Sequence, residues 1–296
     1  MVRLVSIFVG LGFAFVAMFA LVTGAYSFAT EEVQHSAEYE FHLQPKEVSY
    51  SFDGAFGRWD LAQLQRGYKV YKEVCAACHS LNYVAFRNLA ELGYDESQVK
   101  AEAANWQVPG VDAQTGEATT RPGTPTDYFP SPYPNDVAAR AANNNAIPPD
   151  LSLMNKARHG GADYVYSLLT GYTNPNTFKV DGKSLKQEFP DFSTGAGLHF
   201  NPYFANLNIA MAPPLTSNGQ VTYDDGTNPT ISQMSKDVSA FLMWTAEPKM
   251  IERKQTGWAV LGFVLFATVL AYLAKQQIWA PVKPKRAGGK GQVPAG

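Results

Sequence analysis

Two uncharged stretches near the ends of this chain decide where everything between them can sit. Residues 4–30 carry no charged side chain, and neither do the 20 residues 255–274, QTGWAVLGFVLFATVLAYLA. At about 1.5 Å rise per residue, twenty helical residues reach ~30 Å, the thickness of a bilayer's hydrocarbon core. A buried helix of a water-soluble domain is a poor reading of so long a run without a polar face. Trp258, Tyr272 and Trp279 stand near the ends of the second run, where interfacial aromatics belong. The first run follows Arg3 and ends in small residues, with Ser27 and Ala29 spaced as at a signal-peptidase site. Residues 1–29 are expected to be a cleaved export signal of bacterial type, with an uncleaved anchor as the alternative.

Charge orients the chain. Residues 30–249 hold 25 acidic and 16 basic side chains, a balance of −9, whereas residues 250–296 carry +6. Lys275, Lys283, Lys285, Arg286 and Lys290 follow the second apolar run with no acid among them. By the positive-inside rule, residues 250–276 cross a bacterial inner membrane and the basic tail 277–296 is cytoplasmic. The acidic domain 30–249 then lies in the periplasm. With 46% hydrophobic residues, the composition argues against a polar nucleic-acid binder. Charged residues make up 17% of the chain, below the usual share of about 25%, so the composition is that of a packed protein and not a disordered one.

Within the middle region, residues 60–78 read as a helix. Asp60 is its expected N-cap, Gln63 stands three residues on, and Leu61, Leu64, Tyr68, Tyr71, Val74, Cys75 and Cys78 recur at helical spacing. Gly67 weakens this helix, which a close crossing with another helix explains. Residues 121–149 contain seven prolines and are expected to form an irregular packed surface loop. Tyr164–Thr170 reads as a short helix ended by Gly171, and residues 232–247 as an amphipathic helix ended by Pro248. A second helix then runs into the membrane.

The chemistry sits at Cys75-Ala-Ala-Cys78-His79, the only cysteines of the chain. Cys-x-x-Cys-His is the attachment signature of a c-type haem. Two thiols three positions apart at a helix end share a face and can each add to a porphyrin vinyl group. The adjacent imidazole then reaches the iron as proximal ligand. A thioredoxin-like pair would need a strand before it, and a zinc site two further ligands nearby. A closed haem also needs a sixth ligand, from Met154, Met211, Met234, Met243, Met250, His159 or His199. Most methionines are packing residues. Met211 differs, because it lies in a non-helical stretch, NIAMAPPL, stiffened by Pro213 and Pro214. Arg87 and Arg158 are the candidate partners of the propionates, against a plain solvated surface role.

The run RGYKVYKEVCAACHSLNYVAFRNL resembles the haem-binding segment of the cytochrome c1 family, haem subunits of cytochrome bc1 (quinol–cytochrome c reductase) complexes. RPGTPTDYFPSPYPN, AARAANNNAIPPDLSLMNKARHGGADYVYSLLTGY, HFNPYFANLNIAMAPPL and DVSAFLMWTAEPK continue the similarity over roughly residues 45–285. The resemblance implies a mainly α fold, a class I cytochrome c core with long irregular insertions and a C-terminal transmembrane helix. It implies that Cys75 and Cys78 are the thioether cysteines of one covalent haem c, His79 the proximal ligand and Met211 the distal ligand. It also places Arg158 near a propionate and Tyr164 near the haem edge. Some relatives carry a disulfide in the insertion. Here no cysteine is left for one, so residues 172–210 must be held by packing.

The function implied is electron transfer: one electron from the Rieske iron–sulfur protein to a soluble or membrane-anchored c-type cytochrome, beside a cytochrome b that performs the quinol chemistry. The −9 domain suits a basic acceptor. The alternative is a membrane-anchored c-type haem enzyme such as a peroxidase, with an open distal position.

Overall fold

The computed structural model describes residues 2–30 and 36–282. The architecture is mainly helical. Its longer helices are α1 (Val2–Thr30), α2 (Leu61–Glu73), α3 (Gly161–Thr170), α4 (Ile231–Ala246) and α5 (Met250–Trp279). Short helical turns and three two-stranded antiparallel ribbons fill the intervals.

Helix α2 begins as its sequence directs. The Asp60 carboxylate accepts the Gln63 backbone N–H at 3.1 Å, satisfying one of the helix's free donors. The reciprocal half of a capping box is absent, because the Gln63 amide donates instead to Asp237 of α4 at 3.0 Å. The far end departs from expectation. α2 stops at Glu73, not Cys78, and Cys75–Ala77 form a separate 3-10 turn. Val74 turns the chain at φ −119°, and the Cys75 carbonyl then accepts both the Cys78 N–H at 3.1 Å and the His79 N–H at 2.9 Å. Tightening the last turn in this way satisfies carbonyls that an α-helix would leave open.

The crossing of α2 with α4 sits at Gly67, as the sequence suggested. A Cβ built there would fall on the Asp237 carbonyl and lie 2.7 Å from Phe241 Cβ. α4 is buried on most sides, with Met234, Val238, Phe241, Leu242 and Trp244 all inside. Its fully buried Asp237 accepts from Arg66 Nε at 2.9 Å, Gln63 Nε2 at 3.0 Å and Gln233 Nε2 at 2.8 Å. A carboxylate taken out of water needs that many partners to be tolerated. Around the crossing, Tyr68, Tyr71, Phe86, Phe129 and Phe241 form one aromatic core. α4 ends ahead of Pro248, and α5 starts at Met250.

The proline-rich segment 121–149 is not wholly irregular. Asp136–Ala142 form a helix whose N-cap, Asn135, accepts the Ala138 N–H at 3.0 Å. The prolines cluster before Asn135 and after Ile147, so the interval between them is free to coil. Residues 172–210 are held by a second apolar cluster. Phe41, Leu185, Phe200 and Leu207 are buried in it, with Phe178, Phe189 and Phe192 packed around them. The Leu43 N–H donates to the Pro202 carbonyl at 2.8 Å, tying the segment after α1 to this insertion. No side chain of α1 is buried, and in α5 only Met250 is. Both helices have the length and hydropathy to cross a bilayer. Lys283, Lys285, Arg286 and Lys290 lie outside the described residues.

Gly67→Ala should destabilise the domain by about 1–3 kcal/mol or more, the cost of overpacking a tight contact. Gly262→Ala, where nothing lies within 4 Å of the added carbon, is the matched control. Thermal unfolding of the two variants compares them. A Gly67→Ala melt no lower than the control would show that the crossing is looser than described.

Candidate functional site

The Cys75–His79 turn hangs from the C-terminal end of α2. Cys75 and Cys78 are unpaired and half-buried. The Cys75 thiol packs against the aromatic core, and burial pushes its pKa up to about 12, with Cys78 adding to the rise. The Cys75 thiol is therefore protonated at neutral pH.

The His79 ring is oriented from outside the motif. Its Nδ1 lies 2.8 Å from the Pro149 carbonyl. A carbonyl oxygen only accepts, so Nδ1 carries the proton and donates. Burial lowers the ring's pKa, while the Pro149 carbonyl and Asp150 pull the other way. A neutral ring with its proton on Nδ1 leaves Nε2 as the nitrogen with a lone pair, the state a metal ligand requires.

The strap that presents Pro149 is itself laced to the residues following His79. The Leu151 N–H donates to the Ser80 carbonyl at 2.9 Å. The Asp150 carboxylate accepts Ser80 Oγ–H and Asn82 N–H, each at 2.8 Å, and Ser152 N–H at 2.9 Å. Ser152 Oγ accepts from the Tyr83 N–H at 3.1 Å. These bonds join residues 79–83 to 149–152 and hold the imidazole between them.

Met211 lies half-buried between the ribbon strand Asn208–Ile209 and Pro213. The Tyr172 hydroxyl donates to its backbone carbonyl at 3.0 Å. Tyr172 is pushed up by burial and then by the neighbouring Tyr164. Tyr164 in turn is raised by burial and held back by the positive charge of Arg158. Arg158 thus bears electrostatically on Tyr164 and Tyr164 on Tyr172, whose hydroxyl holds the Met211 carbonyl. Arg158 is otherwise exposed and donates to the Ala157 carbonyl at 3.2 Å.

The competing methionines are packing residues. Met234 and Met250 are buried, and Met154 and Met243 are packed against the main core. Arg87 and His159 are exposed, and His199 sits half-buried in a ribbon. Two residues that hold candidate side chains have no signal in the sequence. Pro149 acts through a backbone carbonyl, which no residue pattern advertises. Tyr172 is marked only as an aromatic following a helix-ending glycine.

Fold and site together define a class: a helical domain flanked by apolar helices, whose central helix delivers an unpaired Cys-x-x-Cys-His turn to a backbone-anchored imidazole. Residues 50–282 match the family model described as Cytochrome C1 family. The chain is 46% identical over 246 residues to "Cytochrome b/c1" of Bradyrhizobium diazoefficiens, a match covering 80% of this chain and 36% of that protein. It therefore spans only about a third of that relative's length. It is 41% identical over 265 residues to "Cytochrome c1 1, heme protein, mitochondrial" of Arabidopsis thaliana, covering 90% of this chain and 81% of that one. It is 41% identical over 257 residues to "Cytochrome b-c1 complex catalytic subunit, mitochondrial" of Candida albicans, covering 87% and 84%. The chain belongs to the cytochrome c1 family.

Asp150→Ala should remove the acceptor shared by Ser80, Asn82 and Ser152. Leaving such donors unpaired costs on the order of 1–3 kcal/mol. Urea unfolding should register that loss, and amide exchange of residues 80–83 should quicken. Wild-type stability and protection in this variant would show that the strap is not what holds His79.

Proposed function

We propose that this chain is the haem-bearing electron-transfer subunit of a cytochrome bc1-type quinol–cytochrome c reductase. It would receive one electron from a Rieske iron–sulfur protein and pass it to a c-type cytochrome. The observation that carries the reading is the Cys75–His79 turn: two free thiols in one tight loop, beside an imidazole whose Nδ1 is already committed to Pro149. That donor set fits a covalently attached haem c. When bound, such a haem supplies a one-electron iron couple.

The chain's own residues take definite parts in this reading. Cys75 and Cys78 hold the group through thioethers, and His79 offers Nε2 to the iron with its ring fixed by the Pro149 carbonyl. Met211 offers a thioether from a segment stiffened by Pro213 and Pro214 and gripped by Tyr172. With His79 and Met211 both as donors, the group would suit a carrier over a peroxidase. Arg158 provides a cation for a propionate, and Tyr164 borders the same edge. The fold is then a class I cytochrome c core elaborated by its insertions. Residues 30–249 stand in the periplasm of a bacterial inner membrane, α5 spans the membrane and the tail is cytoplasmic. Residues 1–29 serve as the export signal. A relative named as a cytochrome b-c1 complex subunit, and another named "Cytochrome b/c1", support a cytochrome b as the membrane partner.

Met211→Leu keeps volume and apolar character, so the segment should still fold at modest cost. It removes the sulfur. Axial ligation is among the levers that spread haem potentials over about 0.8 V, so the midpoint potential should fall substantially. Haem content should be unchanged, because Cys75, Cys78 and His79 are intact. Replacing both cysteines with Ala should abolish covalent haem. A Met211→Leu protein at the original potential, or haem that resists acidified acetone in the double-cysteine variant, would overturn the assignment.

A further inference from the structure

The turn Ser51–Gly57 is built more rigidly than a surface loop needs. Tyr50 N–H donates to Asp53 Oδ2 at 2.6 Å, Asp53 N–H to the Tyr50 carbonyl at 3.1 Å, and Arg58 N–H to the Ser51 carbonyl at 2.9 Å. Gly54 adopts φ +69°, and a Cβ at Gly57 would collide with the Phe52 carbonyl group. Lys254, the last cation before the uncharged run of α5, closes the turn from below. Its ammonium donates to the Phe52 and Gly54 carbonyls, each at 2.8 Å.

This framework presents one large apolar side chain outward. Phe56 is 82% exposed, and its ring stacks on Trp258 of α5 with centroids 5.3 Å apart and planes at 8°. Trp258 is itself 48% exposed and lies four residues into α5's apolar stretch from Lys254. Phe52 behind the turn is buried, stacked on Tyr50 and tilted against Trp59, so the turn is pinned to the domain core as well. Arg58, two residues beyond Phe56 in sequence, is exposed.

We propose that Ser51–Gly57 is a membrane-interface foot: Phe56 beds into the boundary between headgroups and acyl chains alongside Trp258. This rests on reading α5 as a membrane span. The patch is continuous with that span, and an aromatic pair beside a lysine is what the interface favours. Because the turn is tied both to the core through Phe52 and to α5 through Lys254, the foot fixes the attitude of the whole domain above the bilayer. A helix alone, leaving the domain at one peptide link, would let it pivot. The lipid occupant follows from continuity; a covering protein is the outcome to be excluded.

The test uses the full haem-loaded chain, reconstituted alone in phosphatidylcholine vesicles. With Cys75 and Cys78 consumed by thioethers, Phe56→Cys provides the single thiol for a nitroxide label. Val264→Cys, in the middle of α5, and Val137→Cys, 77% exposed on the helix after Asn135, are the lipid and water references. Collision rates are measured with oxygen, which partitions into lipid, and with a water-soluble nickel chelate. The label at 56 should collide with nickel several-fold less than the label at 137, and with oxygen at a rate approaching that at 264. Nickel access at 56 equal to that at 137, with 264 protected, would overturn the foot while leaving the span intact. Protection of 56 from both reagents would show protein, not lipid, covering Phe56, and would also overturn it. Nickel access at 264 would remove the span and the foot together.

Discussion

Everything that positions the candidate site leads back to the contact at Gly67. Only the absence of a Cβ lets α2 approach the Asp237 carbonyl and the Phe241 side chain of α4. The approach brings Arg66 and Gln63 onto the buried Asp237 carboxylate, so the same crossing that needs no side chain at one position supplies the partners for a charge at the next. With α2 fixed in angle and depth, its C-terminal end is fixed too. The 3-10 turn that follows can deliver Cys75, Cys78 and His79 to one place. A helix free to slide by one residue would rotate all three away.

The site is assembled from two directions. From the turn that follows α2 come the thiols and the imidazole. From the loops come the parts that hold them: the Pro149 carbonyl on His79 Nδ1, the Asp150 hub beneath it, and Tyr172 on the Met211 carbonyl. The loops are themselves held by ordinary packing. The insertion 172–210, with no disulfide available, is anchored on Phe41 from the segment just after α1, through an aromatic cluster and the Leu43–Pro202 hydrogen bond. This spends apolar side chains where a crosslink would otherwise limit the unfolded chain. The stability of the ribbon that precedes Met211 therefore depends on residues far from it in sequence.

Much of this was legible in the residues. The starts of α2 and α4, the two long apolar helices, the Gly67 crossing and the Cys-x-x-Cys-His turn all follow from local rules: caps, periodicity, charge exclusion and motif spacing. The end of α2 was not legible, because the 3-10 turn is stabilised by the Cys75 carbonyl serving two N–H groups, and side-chain periodicity carries no record of that. The helix 136–142 lies in a proline-rich segment, but the prolines cluster at its two ends and leave the interval free to coil. Pro149 and Tyr172 act through or upon backbone carbonyls that tertiary packing brings near, and such contacts have no signature in residue type. Among the methionines the pattern was informative: those at helical spacing are in or against the core, and the one beside two prolines is held by a side-chain hydroxyl.

The central claim is that the chain carries a closed, two-ligand haem suited to passing electrons and not to binding substrate. The most direct measurement is the optical spectrum of the dithionite-reduced native protein before and after adding carbon monoxide. A spectrum unchanged by carbon monoxide is the result expected when His79 and Met211 occupy both axial positions. A shifted Soret band in the native protein would mean an open or weakly held sixth position, and would contradict the account.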